Sequence, residues 1–148
     1  MGNKPMSRSE NMARIKSKDT KPEMFIRRLL FNNGFRYRLH YDELPGKPDL
    51  YIGKYKTAIF VNGCFWHIHE GCKDFTLPKT NSEFWKDKLT SNKARDKKNY
   101  SKLIETGIKV IVVWECTIKK FMRKDENQEQ LLDKVTRAIK SEALYIEI

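Results

Sequence analysis

Apolar positions recur along this chain in two periods, and the alternation between them lays out the elements. Ile26, Leu29 and Leu30, with Pro22 before them and Asn33-Gly34 after, predict a helix over residues 21–33. Thr20 is its expected N-cap, with Glu23 three residues on as the capping-box partner. FRYRLHY (35–41) alternates apolar and basic residues as an edge strand does, and LPGKP (44–48) is a turn. DLYIG (49–53) and TAIFVNG (57–63) read as two strands joined at Gly53-Lys54, the second nearly all apolar and so central. A long helix is expected over 82–105, with Thr80 and Glu83 as its capping box and Gly107 as its stop. KVIVVWEC (109–116) is a further buried strand, which could lie beside 57–63 and so bring Cys116 to the loop after it, and a last helix covers 127–141.

This order predicts an α/β fold, a mixed central sheet flanked by helices. At 148 residues a single domain is expected over 1–148, with residues 1–18 a basic flexible arm and 125–148 a C-terminal helix and tail. SENMARIKS, inside the arm, can form a helical turn behind Ser9. A chain of this size buries an ordinary core without needing a metal.

Charge changes the picture next. Thirty Lys and Arg stand against 19 Asp and Glu, a net +11, which points to a polyanionic partner, nucleic acid before membrane. The excess is clustered, ten basic residues to three acidic in 1–40 and seven to two in 86–102, which favours nucleic acid over a uniformly solvated surface. No apolar run approaches the ~20 residues of a membrane span. No signal-peptide apolar region stands at the N-terminus, so a cytoplasmic location and no membrane partner are expected.

The candidate chemistry gathers in FVNGCFWHIHEGC (60–72), which holds two of the three cysteines and two of the three histidines. Cys64, His69 and Cys72, spaced C-x4-H-x2-C, with Cys116 at the end of the later strand, make a Cys3His set suited to one structural zinc ion. The competing reading is three unrelated buried thiols. His67 could replace His69 as the ligand on spacing alone; whichever is left over is available as a base. Asp49 enters a strand behind Pro48, as a carboxylate holding Mg2+ against a phosphate would, although a turn residue fits that position too. The second strand offers Val61-Asn62-Gly63 where a further acid and a lysine would complete a PD-(D/E)xK nuclease motif. Glu23 could lie near the metal's waters, but its capping role already accounts for it.

PGKPD (45–49), FVNGCFWH (60–67), Thr80 with NSEFW (81–85) and VWEC (113–116) together resemble the very-short-patch repair endonucleases, over about residues 11–116. The resemblance implies a restriction-endonuclease-like fold, a variant of the PD-(D/E)xK superfamily with a structural zinc site. It implies Mg2+-dependent nicking of one strand of duplex DNA beside a T:G mismatch left by deamination of 5-methylcytosine. It implies two Mg2+ ions, with Asp49 and the Val61 backbone carbonyl as ligands, His67 as general base, Glu23 on metal-bound water, and Cys64, His69, Cys72 and Cys116 on one Zn2+. Asn62 stands where family members can carry a histidine that contacts a metal-bound water. Phe65 and Trp66 become a wedge beside the mismatched pair, and Met12 inserts from the other groove, with Arg14 and Lys16 beside it on DNA. A functional association with a DNA cytosine-5 methyltransferase and a monomeric state complete the expectation. The alternatives are a restriction or nicking endonuclease for matched DNA, and a non-catalytic zinc-stabilised DNA-binding module.

Overall fold

The computed structural model describes residues 19–123 and 128–148. The arm, with Met12, Arg14, Lys16 and the turn expected near Ser9, lies outside the described residues.

Helix α1 (Lys21–Phe31) starts where the sequence places it, with Thr20 Oγ1 accepting from the Glu23 N–H at 3.4 Å. The reciprocal half of the capping box is missing, because the Glu23 carboxylate is turned inward to Arg27. Strand β1 is only Arg38–Leu39, since His40 takes a left-handed φ of 45° and ends the alternation seen in 35–41. Strand β2 (Leu50–Ile52) turns through a short 3-10 segment, Gly53–Tyr55, into β3 (Thr57–Asn62). Helix α2 (Ser82–Glu105) has the expected bounds, but its N-cap is Asn81, left-handed and without a side-chain cap bond, so the Thr80/Glu83 box is not what starts it. Strand β4 (Lys109–Trp114) stops two residues earlier than its pattern suggests. Glu115 opens a helix that the sequence pattern missed, α3 (Glu115–Met122), so Cys116 is a first-turn helical residue. Helix α4 (Gln128–Lys140) and a short strand β5 (Tyr145–Glu147) complete the described chain.

The five strands lie in chain order, antiparallel from β1 through β3 and parallel from β3 through β5. This is the mixed central sheet flanked by helices that the sequence predicts. Parallel pairing of β3 and β4 requires a crossover, which α2 supplies, and it covers both strands with apolar side chains on both faces. Alternation then sorts β3. Ile59 and Val61 face α1, α3 and α4, with Leu30, Ile118 and Leu131 behind them. Ala58 and Phe60 face α2, against Tyr100 and Leu103.

Two details fix the ends of this layer. The buried Lys109, at the start of β4, donates Nζ–H bonds to the carbonyls of Ala138 (2.7 Å), Ile139 (2.8 Å) and Ser141, supplying a cation to the C-terminus of α4. Gly46 has φ 78° and lies so close to Phe60 and Asn99 that a Cβ would stand 3.1 Å from each. The PGKP turn therefore packs tightly under α2 and sets the entry of Asp49 into β2. Most of the outer surface of α2 is cationic, with Lys86, Lys88, Lys93, Arg95, Lys97, Lys98 and Lys102 all exposed. Among the described residues no helix is long and apolar enough to cross a membrane.

Candidate active site

The parallel register pairs Asn62 with Trp114 at the ends of β3 and β4. Two residues beyond each lies a cysteine, Cys64 and Cys116, and strand geometry alone brings these together. The loop after β3 then folds back on itself, with His69 N–H donating to the Cys64 carbonyl at 2.9 Å and Cys72 N–H to the His69 carbonyl at 3.2 Å. Gly71 makes the return with φ 75°. Ligand atoms of Cys64, His69, Cys72 and Cys116 all lie within 4.8 Å of one another. Cys116 Sγ is 3.5 Å from His69 Nδ1, and the His69 ring stacks on Trp114 at 4.1 Å. Burial raises both the Cys64 and Cys116 thiols, and neighbouring Cys72 adds to the rise. Three converging thiols with an imidazole fit a soft dication, which would hold them as thiolates.

Ile68 separates the two histidines. Its φ of 49° is left-handed, an unusual state for a β-branched residue. In an extended chain His67 and His69 would point the same way. With Ile68 reversed, His69 joins the cysteines and His67 turns to α2, where its Nδ1 bonds the Asp96 carboxylate. A carboxylate accepts, so Nδ1 carries the proton and Nε2 keeps the lone pair. Asp96 plays no part in the sequence-level site. The only signal for it is that it is one of two acids in a heavily basic stretch, spaced on α2 to meet the loop.

Asp49 stands beside Val61, at the entry to β2. Its Oδ2 accepts the Val61 N–H at 2.7 Å, and the Glu23 carboxyl lies within hydrogen-bond reach. Burial pushes the Asp49 carboxyl up to about 7; the Val61 bond lowers it, Glu23 raises it and Arg27 lowers it again. Two carboxylates this close and shielded from water are stabilised by a shared proton or a cation between them, and hard oxygen donors fit a hard dication. Glu23 itself is 2% exposed.

Asn62 departs from its expected place. Alternation sends it to the opposite face from Val61, where its Nδ2 donates to Tyr100 Oη at 2.9 Å under α2. Its amide is therefore engaged with Tyr100, not with Asp49.

A cleft of about 740 Å³ joins the pieces, lined by Glu23, Val61, Gly63, Trp66, His67 and Asp96, with Lys21, Lys88, Asn92, Glu115 and Lys119 among the remaining residues. Of the aromatic pair, Trp66 faces the cleft. Phe65 is 5% exposed and packs behind it against Trp85 and Phe75. Phe84, 57% exposed, meets Trp85 edge-on, and Lys88 Nζ lies 5.5 Å over Trp66. The cation-bearing wall and aromatic floor suit a stacked, polyanionic ligand.

A close carboxylate pair, a histidine oriented by aspartate and a cationic aromatic cleft at the end of a mixed sheet are parts of a DNA-cleaving hydrolase. The family model described as DNA mismatch endonuclease Vsr matches residues 3–74. The chain is 50% identical over 112 residues to the type II nicking enzyme V.NmeAIP of Neisseria meningitidis serogroup A, covering 76% of this chain and 79% of that one. It is 41% identical over 113 residues to the DNA mismatch endonuclease Vsr of Escherichia coli K12, 76% and 72% covered. It is 38% identical over 129 residues to the type II nicking enzyme V.XorIIP of Xanthomonas oryzae, 87% and 94% covered. The chain belongs to the Vsr family, the very-short-patch repair endonucleases, and is a DNA mismatch endonuclease.

Proposed function

We propose that this enzyme, as one endonuclease domain with a restriction-endonuclease-like fold, nicks one strand of duplex DNA beside a T:G mismatch produced by deamination of 5-methylcytosine. The observation that carries the reading is the cleft whose wall joins Val61 and buried Glu23, both bonded to Asp49, to the His67–Asp96 pair and Trp66. Asp49 and the Val61 carbonyl would hold Mg2+, two ions in all, and Glu23 would orient their waters. Bound there, Mg2+ supplies charge neutralisation for the attacking and leaving oxygens. His67 Nε2 takes the proton of the attacking water while Asp96 holds the ring in the required tautomer. The new bond is from water oxygen to phosphorus and the broken bond is to the 3′ oxygen, leaving a 5′-phosphate and a 3′-hydroxyl. Trp66 enters the stack beside the mispair, where unstacking is cheapest, and Phe65 supports it. Cys64, His69, Cys72 and Cys116 would hold one structural Zn2+. The basic arm, with Met12, Arg14 and Lys16, would close on the duplex from the other groove. The protein would act as a cytoplasmic monomer, in functional association with a DNA cytosine-5 methyltransferase, nicking beside the deaminated form of that enzyme's product.

Duplexes bearing T:G in varied flanks, with matched controls and Mg2+, test this against an Asp49→Ala blank on denaturing gels. Nicking confined to mismatched strands is expected. Equal cleavage of matched duplexes would replace the repair reading with restriction or nicking of ordinary DNA. Asp96→Asn is expected to nick at least ~100-fold more slowly than wild type with duplex affinity unchanged, since it removes the orienting acceptor from the base. A wild-type single-turnover rate in that variant would remove Asp96 from the chemistry.

A further inference from the structure

One buried charge near the cleft has no part in the catalytic assignments above. Arg27, in α1, is 9% exposed. Its Nη2 donates to the Glu23 carboxylate one turn earlier and to Asp19 at 2.6 Å, and lies 2.8 Å from His40 Nε2. His40 Nε2 is also 3.3 Å from Asp19 Oδ1 and 3.4 Å from Glu23 Oε2, so it belongs to the same cluster, while its Nδ1 stands 3.9 Å from Asp49 Oδ1. The His40 peptide N–H also donates to the Asp49 carbonyl at 3.0 Å. Two routes therefore run from Arg27 to the Asp49 carboxylate, one through Glu23 and one through His40. Tyr37 Oη, donating to the Arg27 carbonyl at 2.8 Å, fixes the backbone from which the side chain reaches.

The donor atoms of Asp19, Glu23 and His40 lie within 4.8 Å of one another, close enough to hold an ion. Arg27 Nη2 bonds both carboxylates and touches His40, so the cation of that cluster is the guanidinium. Against the carboxylates of Asp19, Glu23 and Asp49 it leaves a formal charge of −2, where its removal leaves −3.

We infer that Arg27 is a positioning residue for the nicking reaction: it occupies one cation place in the acidic cluster, fixes Glu23 and Asp49 in relation to each other, and confines metal to the Asp49 side. The inference rests on Asp49 being the metal-binding carboxylate. It separates two properties that a loosened fold would lose together. Deleting the charge draws dications in more strongly, while releasing the carboxylates spoils their aim, and small misplacements are costly to rate.

The test compares wild type, Arg27→Gln, Arg27→Lys and Asp49→Ala as full chains. Mn2+ binding is followed by electron paramagnetic resonance without DNA, and single-turnover nicking is measured at saturating Mg2+. Arg27→Gln is expected to bind Mn2+ more tightly than wild type yet nick at least ~10-fold more slowly. Arg27→Lys keeps the charge but not the fork, so it should bind Mn2+ as wild type does and still nick slowly. A wild-type rate in Arg27→Gln, or Mn2+ affinity falling in step with rate, overturns the inference. If circular dichroism shows Arg27→Gln unfolded, Arg27→Lys decides: slow nicking at unchanged Mn2+ affinity supports it, and a wild-type rate or loss of both overturns it. Asp49→Ala keeps the two questions apart. If it still binds Mn2+ and nicks, the metal-site reading fails; if it loses both while the Arg27 variants match wild type, only the role of Arg27 fails.

Discussion

Asp49→Asn is expected to yield a protein that is inactive and more stable than wild type. Asn can still accept the Val61 N–H, but it offers no anionic oxygen for Mg2+, and loss of several kcal/mol of charge stabilisation is about a 10³-fold or larger fall in rate. The stability gain follows from where the proton sits. The folded Asp49 carboxyl is raised to about 7 from an ordinary 3.8, so the folded state holds a proton through a pH range in which the unfolded chain has released it. Its contribution is thus favourable below the ordinary carboxylate value and is lost as pH rises through about 7. At pH 8 without divalent ions the wild type carries the full cost of a buried ionised pair, which Asn removes, roughly 2–4 kcal/mol. Urea midpoints of the two proteins should therefore differ at pH 8 and converge towards pH 4. Added Mg2+ should raise the wild-type midpoint alone, and more at pH 8 than at pH 6, because below about 7 the ion competes with the proton. A less stable Asn variant, or one that nicks, would contradict the reading.

Cys116→Ser is the second change with a large expected effect. It takes away one of four converging donors, leaving Cys64, His69 and Cys72 too few to close a tetrahedral zinc site. Zinc content by elemental analysis should fall from one per chain towards zero. The thermal midpoint should drop by roughly 10 °C, since a few kcal/mol is worth that much in a domain of this size. Nicking should fall as well, because His67 stands one residue from Ile68, whose left-handed backbone is held by the same loop. Unchanged zinc content in the variant, or a wild type purified with no zinc, would refute the assignment.

The parts of this site differ in how openly the sequence carries them. The long helix 82–105 and the apolar runs of β3 and β4 are strong periodic signals, and the structure places the two strands side by side within the sheet. The C-x4-H-x2-C spacing likewise leads to a real convergence of donors. Helix α3 is hidden because it opens at Glu115 directly after Trp114, with no Gly, Pro or loop between, so the strand pattern reads through Trp114 into Cys116. Strand β5 has three residues and takes its identity from β4 beside it. Asn62 could have been placed from alternation, which puts it with Phe60 and not with Val61. Asp96 and Arg27 are a different matter. Each is a charged residue in a basic helix, and only tertiary packing reveals that one meets His67 and the other meets Glu23. The choice between His67 and His69 depends on the φ of Ile68, a backbone state that its side chain disfavours and the surrounding loop imposes.

The side-by-side ends of β3 and β4 have one more consequence, and it concerns the chain before it folds. Cys64 and Cys116 lie at opposite ends of the segment that contains the whole of α2, so an ion gripping both closes that segment into a ring. Parallel pairing is the slow kind to reach, since the connection must be brought round before any contact between the strands rewards it. A metal that captured both cysteines early would prepay that closure, and the entropy removed from the unfolded ensemble would be of the order given by a long disulfide loop, ~4 kcal/mol. Refolding of the unfolded chain should then be faster with zinc present from the start than with zinc added after the sheet has formed.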